Sequence, residues 1–415
     1  MKKSIIWLTI ITFIVTMAFV GISCASTPAE TTAVAETTAV TETTVTETTT
    51  AAETTVSSDD AIASWITEAR KGTEKYRDVP LDFKSQQGKT PTWDTELNLT
   101  NAEVEKLKQG NYKIAFAWQL NQGEYTQAIE AGVKLMADKC NMTIVGSTDA
   151  NLDAARQKSD IENLLQLKPD IIITAEVDDA SAKEVYKPAI DAGVKVVFVS
   201  MAPAEFVEQN KVSGIVTANP QAVGVMKVRL LAQLLGEKAK IGFLYYDQDF
   251  WFANVFDKAA RDAIKSEFPE MTILEDKGFA TIEESGKVAS AMIQQHPDIQ
   301  GFYTPWNGPG LEVAAACAAA DRKDIQVVTF AVDAPTLVAL VKGPNLTGIV
   351  ADMPYQVGLS CGLSGAYALL GKKIPDFTAT PVTNLTVDNL REIWDLSMKV
   401  PLPKQVDDEL KKIGK

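Results

Sequence analysis

The chain has 415 residues, with 54 acidic against 40 basic side chains and a formal net charge of −14, a balance that argues against nucleic acid or an anionic lipid surface as partner. Its single histidine, His296, speaks against a Ser-His-Asp triad, a Cys-His pair or a multi-histidine metal site. With no G-x-x-x-x-G-K-[ST] loop and no G-x-G-x-x-G after a strand, no nucleotide, cofactor or metal is expected.

Lys2, Lys3 and Ser4 precede a mostly apolar run from Ile5 to Ile22 that stops at Ser23-Cys24, the charge-then-apolar layout of a secretory signal. The competing reading is an uncleaved anchor, since the run is nearly long enough to span a bilayer. Under either reading the remainder is expected outside the cytoplasm. Cys24 resembles the lipidated cysteine of a bacterial lipoprotein, although Gly21 stands where leucine is usual. Residues 25–58 are almost entirely Thr, Glu, Ala, Val and Ser, too poor in large apolar side chains to form a core, and are expected to be a disordered tether. As a flexible coil its ends would lie about 30 Å apart.

Residues 59–110 read as an accessory segment packed on the first lobe. Ile62, Trp65, Ile66 and Ala69 have helical spacing, and Thr100-x-x-Glu103 is a capping box. From Lys113 onward one α/β pattern is written twice. KIAFAW at Lys113–Trp118, a Pro-Asp-Ile entry at Pro169 and KVVFVS at Lys195–Ser200 are echoed by KIGFLY at Lys240–Tyr245, Pro-Asp-Ile at Pro297 and QVVTFA at Gln326–Ala331.

Strands are predicted near 113–118, 142–147, 170–175 and 195–200, with helices near 125–138, 152–167 and 179–191. The pattern resumes with strands near 240–245, 272–276, 301–304 and 326–331, and helices near 221–236, 253–266, 284–295, 309–320 and 334–342. Such alternation predicts parallel sheets with crossover helices. Ser213–Asn219 and Thr347–Asp352 read as strands that cross between the lobes, the second followed by a helix over 354–370. The expected domains are lobe 1 over 111–217 plus 353–379, lobe 2 over 218–352 plus 380–400, and a C-terminal tail over 401–415.

In an open parallel sheet the loops after the strand C-termini line the binding crevice. The first lobe therefore offers Trp118, Gln119, Gln122, Tyr125, Glu176, Asp178, Ser200 and Met201. The second offers Asp247, Asp249, Phe250, Trp251, Asn254, Trp306, Asn307 and Asp333, and the crossings add Asn219 and Asp352. The set is rich in aromatics, carboxylates and amides and contains no Lys or Arg. Aromatic faces stack on the C–H faces of sugars or on cations, whereas a phosphate or carboxylate ligand would lack a counter-charge. The cleft suits a neutral polyol or a cation.

Each candidate has a structural alternative. A strand-end Trp such as Trp118 can be a core lid, one or two rings of Phe250-Trp251-Phe252 belong to the core, and Asp247, Asp249 and Asp333 lie where helix capping competes. Cys140, Cys317 and Cys361 read as buried thiols, with one disulfide left open, and His296 as a solvated loop residue.

From Lys113 to about Lys399 the chain resembles the type I periplasmic sugar-binding proteins of ATP-driven importers, the ribose-binding-like group. The resemblance rests on ARQKSDIENLLQLKPDIIITAEVDDASA (155–182), KPAIDAGVKVVFVS (187–200) and GIVADMPYQVGLSCGLSGAYALLGKK (348–373). It implies two Rossmann-like lobes joined by a three-stranded hinge, a sugar or sugar-like ligand between them, a membrane permease as partner and a monomer; the near absence of histidine and of a recognisable nucleophile site separately argues against an enzyme.

The alternatives kept beside that reading are a cationic amine as ligand and a role presenting ligand to a membrane receptor. The resemblance puts Gln122, Tyr125 and Thr126 where that group has an asparagine and two phenylalanines. Ser200-Met201 stands where it has an Asp-Arg pair, Asn254 near an arginine, Trp306 near an asparagine and Asp352 at a hinge glutamine. Ala331 falls at an aspartate position, with Asp333 two residues on. These departures argue against ribose itself.

Overall fold

The computed structural model describes residues 58–415, so the expected signal, the expected lipidation site Cys24 and nearly all of the expected tether lie outside the described residues. The strands, in chain order, are β1 (Thr92–Trp93), β2 (Lys113–Trp118), β3 (Thr143–Asp149), β4 (Ile171–Thr174), β5 (Lys195–Val199), β6 (Ile215–Ala218), β7 (Lys240–Tyr246), β8 (Thr272–Phe279), β9 (Gly301–Tyr303), β10 (Gln326–Phe330), β11 (Leu346–Asp352), β12 (Thr378–Thr380) and β13 (Val382–Leu385). They form a seven-stranded sheet of order β1-β12-β6-β5-β4-β2-β3 and a six-stranded sheet of order β13-β11-β10-β9-β7-β8. All pairings are parallel except that of β13 with β11.

The apolar strand runs are explained by burial on both faces. In β5, Val197 and Val199 join the core beneath the helices Glu124–Lys139 and Pro354–Leu370, while Val196 and Phe198 face the opposite core with Ile161 and Tyr186. The period of two thus feeds two apolar layers at once. The second lobe repeats the arrangement, with Phe243 and Val350 on one side of the sheet and Leu244, Ile349 and Ala351 on the other.

The chain crosses between the sheets three times. After β6, the helix Pro220–Leu235 packs in the second lobe; after β11, the helix Pro354–Leu370 packs back on the first; β12 and β13 lie in different sheets on either side of Pro381. Both crossing helices begin with proline, whose fixed φ suits the first helical position and whose missing N–H is not needed there. Each also approaches a neighbouring helix at glycine. A Cβ on Gly224 would lie 2.0 Å from the Phe256 carbonyl oxygen, and one on Gly358 would lie 1.9 Å from that of Ile129.

Residues 59–110 do not pack on the first lobe alone, as expected, but span both lobes. Ile66, Leu97 and Leu107 join the first lobe's core and β1 extends its sheet beside β12. Between these, Val79 enters the second lobe's core and Asp78 pairs with Arg229 at 2.8 Å. Phe83 then lies 6.3 Å from Trp251 of the second lobe and 6.2 Å from Phe377 of the first, and the Trp251 indole donates to the Lys84 carbonyl at 3.1 Å. The segment is a strap across the hinge. Phe83→Ala should loosen this interlobe aromatic contact and enlarge the ligand-free protein in small-angle scattering; an unchanged radius would leave the lobe arrangement to the three crossings.

Three smaller expectations are corrected. The 401–415 stretch contains a helix, Lys404–Lys412, whose Val406 and Leu410 are buried in the second lobe's core. His296 is not a solvated loop residue but a partly buried helix C-cap, with Nε2 3.6 Å from Glu275 Oε2. Cys140, Cys317 and Cys361 are all buried free thiols, so no pair forms the disulfide that the sequence left open. Among the described residues, no helix is long and apolar enough to cross a membrane.

Candidate ligand-binding cleft

A cavity of about 530 Å³ opens where the strand ends of both lobes converge. This is the size range of small-molecule sites. The first lobe contributes Trp118 and the following loop, Ala175-Glu176, Val199 to Met201, and Thr217-Ala218. The second contributes Phe250, Phe252, Phe256, Trp306-Asn307 and Phe330 to Asp333, and Asp352 lies at the crossing. Ser200 and Ala331, at corresponding strand ends, both have φ of 69°. Non-glycine residues seldom adopt this left-handed conformation, and its recurrence at the cavity marks a duplicated turn.

Of the candidates, Trp118, Gln119, Gln122, Tyr125, Glu176, Ser200, Met201, Phe250, Trp306, Asn307, Asp333 and Asp352 line the cavity. Six lie outside its lining. Asp178 caps the helix Asp179–Asp191 by accepting from the Ser181 N–H at 2.8 Å. Asn219 is buried at the first crossing, where it caps the helix Pro220–Leu235. Asp247 and Asp249 are exposed and do not cap the helix Trp251–Glu267, and Asn254 donates to Asp249 at 3.2 Å. Trp251 turns toward the strap. Tyr245, which the repeat pairs with Trp118, lies outside the lining, with the Arg261 guanidinium 5.1 Å from its ring centroid.

The strand-end candidates did not include Phe252, Phe256 and Phe330, which also line the cavity. Phe252 and Phe256 are four residues apart and so share one helix face, a spacing the sequence displays. Phe330, adjacent to Ala331 at the end of β10, is identified only by its packing against both.

The lining side chains differ in how well they are satisfied. Trp118 is 4% exposed and donates to Glu130 Oε1 at 2.8 Å, so it is both core lid and cavity wall. Trp306 stands edge-on to Tyr246 at 5.2 Å. Asp333 caps the helix Ala334–Lys342 through the Thr336 N–H at 2.8 Å and also accepts from Asn307 at 2.7 Å.

Glu176 and Asp352 are different: both are buried, and Glu176 Oε2 and Asp352 Oδ1 have no hydrogen-bond partner. Desolvation pushes Glu176 up to about 7, with Asp179 and Asp178 adding like charge. Desolvation likewise raises Asp352 to about 6. Burial, reinforced by the Asp352 charge, holds the Tyr125 hydroxyl well above its ordinary value.

Beneath the Trp306 turn lies a buried polar cluster outside the cavity. Lys227 Nζ donates to the carbonyls of Thr304 at 3.0 Å and Pro305 at 3.2 Å, and lies 4.0 Å from the Phe256 ring centroid and 3.9 Å from that of Tyr303. Asp257 accepts from the Tyr303 hydroxyl at 2.9 Å. Lys227 therefore fixes the backbone just before Trp306 and Asn307.

Comparison with known proteins agrees with this architecture. A ribose import binding protein of Bacillus subtilis (strain 168) is 25% identical over 263 residues, 61% of this chain and 81% of the relative. Among solved structures, a periplasmic ribose ABC transporter protein from Conexibacter woesei superposes with a TM-score of 0.60 at 21% identity, covering 69% of this chain and 98% of the other. AraP, an arabinose-binding protein from Geobacillus stearothermophilus, does so with a TM-score of 0.61 at 18% identity, covering 68% and 99%. The pattern of the periplasmic binding protein domain matches residues 114–373. With two parallel-sheet lobes enclosing one cavity, the chain belongs to the periplasmic binding protein family.

Proposed function

We infer that this protein is the solute-binding subunit of an ABC importer, closing its lobes on a small sugar-like ligand and presenting it to a permease. The observation that carries the reading is the cavity between two hinged lobes, walled by Trp118, Tyr125, Phe252 and Trp306 and supplied with polar groups from Gln122, Glu176, Asn307 and Asp352. Flat rings stack on the apolar faces of a sugar while amides and carboxylates pair with its hydroxyls. The ribose and arabinose in the names of similar proteins support a ligand of that size and type. The family's members are binding proteins for transport that act outside the cytoplasm. Attachment to the membrane through lipidated Cys24 and a flexible 25–58 tether would let the domain search near its permease.

A ligand touching both lobes stabilises the closed arrangement by its differential affinity for that state. Native mass spectrometry of protein purified without refolding should reveal a small bound solute. Scattering before and after its removal should show the bound form to be the more compact. A bound solute with no change in radius would overturn closure.

A further inference from the structure

We propose that the ligand carries a protonated amine on its hydroxylated frame, held by Glu176 and Asp352; this rests on the solute-binding reading and narrows its ligand class. Three carboxylates line the cavity, Glu176, Asp333 and Asp352, and among the described residues no Lys, Arg or His lines it. Asp333 is already satisfied by Asn307 and Thr336. Glu176 is 8% exposed and Asp352 4% exposed, and each has an oxygen without any partner. The ammonium of Lys227 is committed to the Thr304 and Pro305 carbonyls and does not line the cavity.

Charge decides between the two ligand types. A neutral sugar can donate hydroxyl hydrogen bonds to both carboxylates, but near neutral pH it leaves the Asp352 charge and the ionised fraction of Glu176 uncompensated as lobe closure removes water. Burying an unpaired ion costs several kcal/mol, far more than burying a paired one. An ammonium group supplies the missing charge and up to three donors. The surrounding rings of Trp118, Tyr125 and Trp306 favour a cation over their faces and also stack on a carbon frame. Asp178 and Asp179, close enough to Glu176 to act on its charge, make that end of the cleft more negative still.

The test uses matched probes that differ chiefly in charge: D-glucosamine against D-glucose, and tris(hydroxymethyl)aminomethane against pentaerythritol, at millimolar concentration and neutral pH. In thermal-shift titrations each amine should stabilise the protein more than its neutral counterpart. Glu176→Gln and Asp352→Asn should each weaken amine binding about 10- to 100-fold, the range for losing a charge-assisted hydrogen bond. The same two variants should raise the thermal midpoint of the ligand-free protein, because each removes an unpaired buried charge; a midpoint that falls in both overturns the account of those carboxylates.

Equal or stronger stabilisation by the neutral probes overturns the amine and leaves sugar import standing. Stabilisation by no amine also overturns the proposal. Whether the protein binds and closes on any solute is then decided separately by the co-purified ligand and the scattering change.

Discussion

Gly358→Ala is expected to destabilise the protein, although helix propensity alone predicts the opposite sign. Gly358 sits inside the helix Pro354–Leu370, where alanine is intrinsically better by about 1 kcal/mol. Its Cβ, however, would lie 1.9 Å from the backbone oxygen of Ile129 and 2.7 Å from that residue's carbonyl carbon. Backbone cannot rotate aside as a side chain can, so the two helices must separate. Gly132 on the facing helix makes the reciprocal approach, 2.1 Å from the Tyr355 oxygen. Overpacking a well-filled core costs about 1–3 kcal/mol, and a backbone clash stands at or beyond the upper end.

The net loss should therefore be about 2 kcal/mol or more, read as a lower thermal or denaturant midpoint. Ligand affinity should fall with it, because one helix begins beside Tyr125 and the other two residues after Asp352. A stabilised Gly358→Ala variant would show that the helices do not meet this closely.

Lys227→Met should cost about 3 kcal/mol and weaken ligand binding as well. Methionine retains the length and the contacts with Phe256 and Tyr303 but removes the ammonium. The Thr304 and Pro305 carbonyls are then buried without a partner, and Asp257 loses a neighbouring positive charge. Each unmet buried acceptor carries a penalty of about 1–3 kcal/mol, partly offset here by removing the desolvation cost of the lysine itself.

Desolvation also lowers Lys227 from 10.5 to about 7, so between those values the unfolded chain holds a proton that the native protein has released. By linkage, this lysine's contribution to stability rises with pH across that window, is complete above 10.5 and is lost as pH falls through 7. The stability difference between wild type and Lys227→Met should therefore grow from neutral to alkaline pH. A difference independent of pH would mean that Lys227 keeps its ordinary affinity for protons.

The repeated strand entries at Lys113 and Lys240 and the apolar runs at Ile171 and Val196 made two parallel-sheet lobes legible, because a strand buried on both faces must be apolar throughout. The strand-end rule then carried Trp118, Glu176, Ser200, Trp306 and Asp352 to one cavity. It failed at 247–254, where it could not say which of three successive aromatics turns inward. Phe250 and Phe252 face the cavity while Trp251 is drawn off by Phe83 and Lys84, residues more than 160 positions earlier.

The sequence by itself determined the fold class and a cleft without basic side chains, because periodicity and residue type are local properties. Tertiary structure alone decided that residues 59–110 strap both lobes, that Glu176 and Asp352 are the cavity's unsatisfied carboxylates while Asp333 is not, and that Lys227 holds the Trp306 turn. The reason is physical: burial and hydrogen-bond satisfaction belong to a side chain's neighbours in space, and those neighbours come from distant parts of the chain.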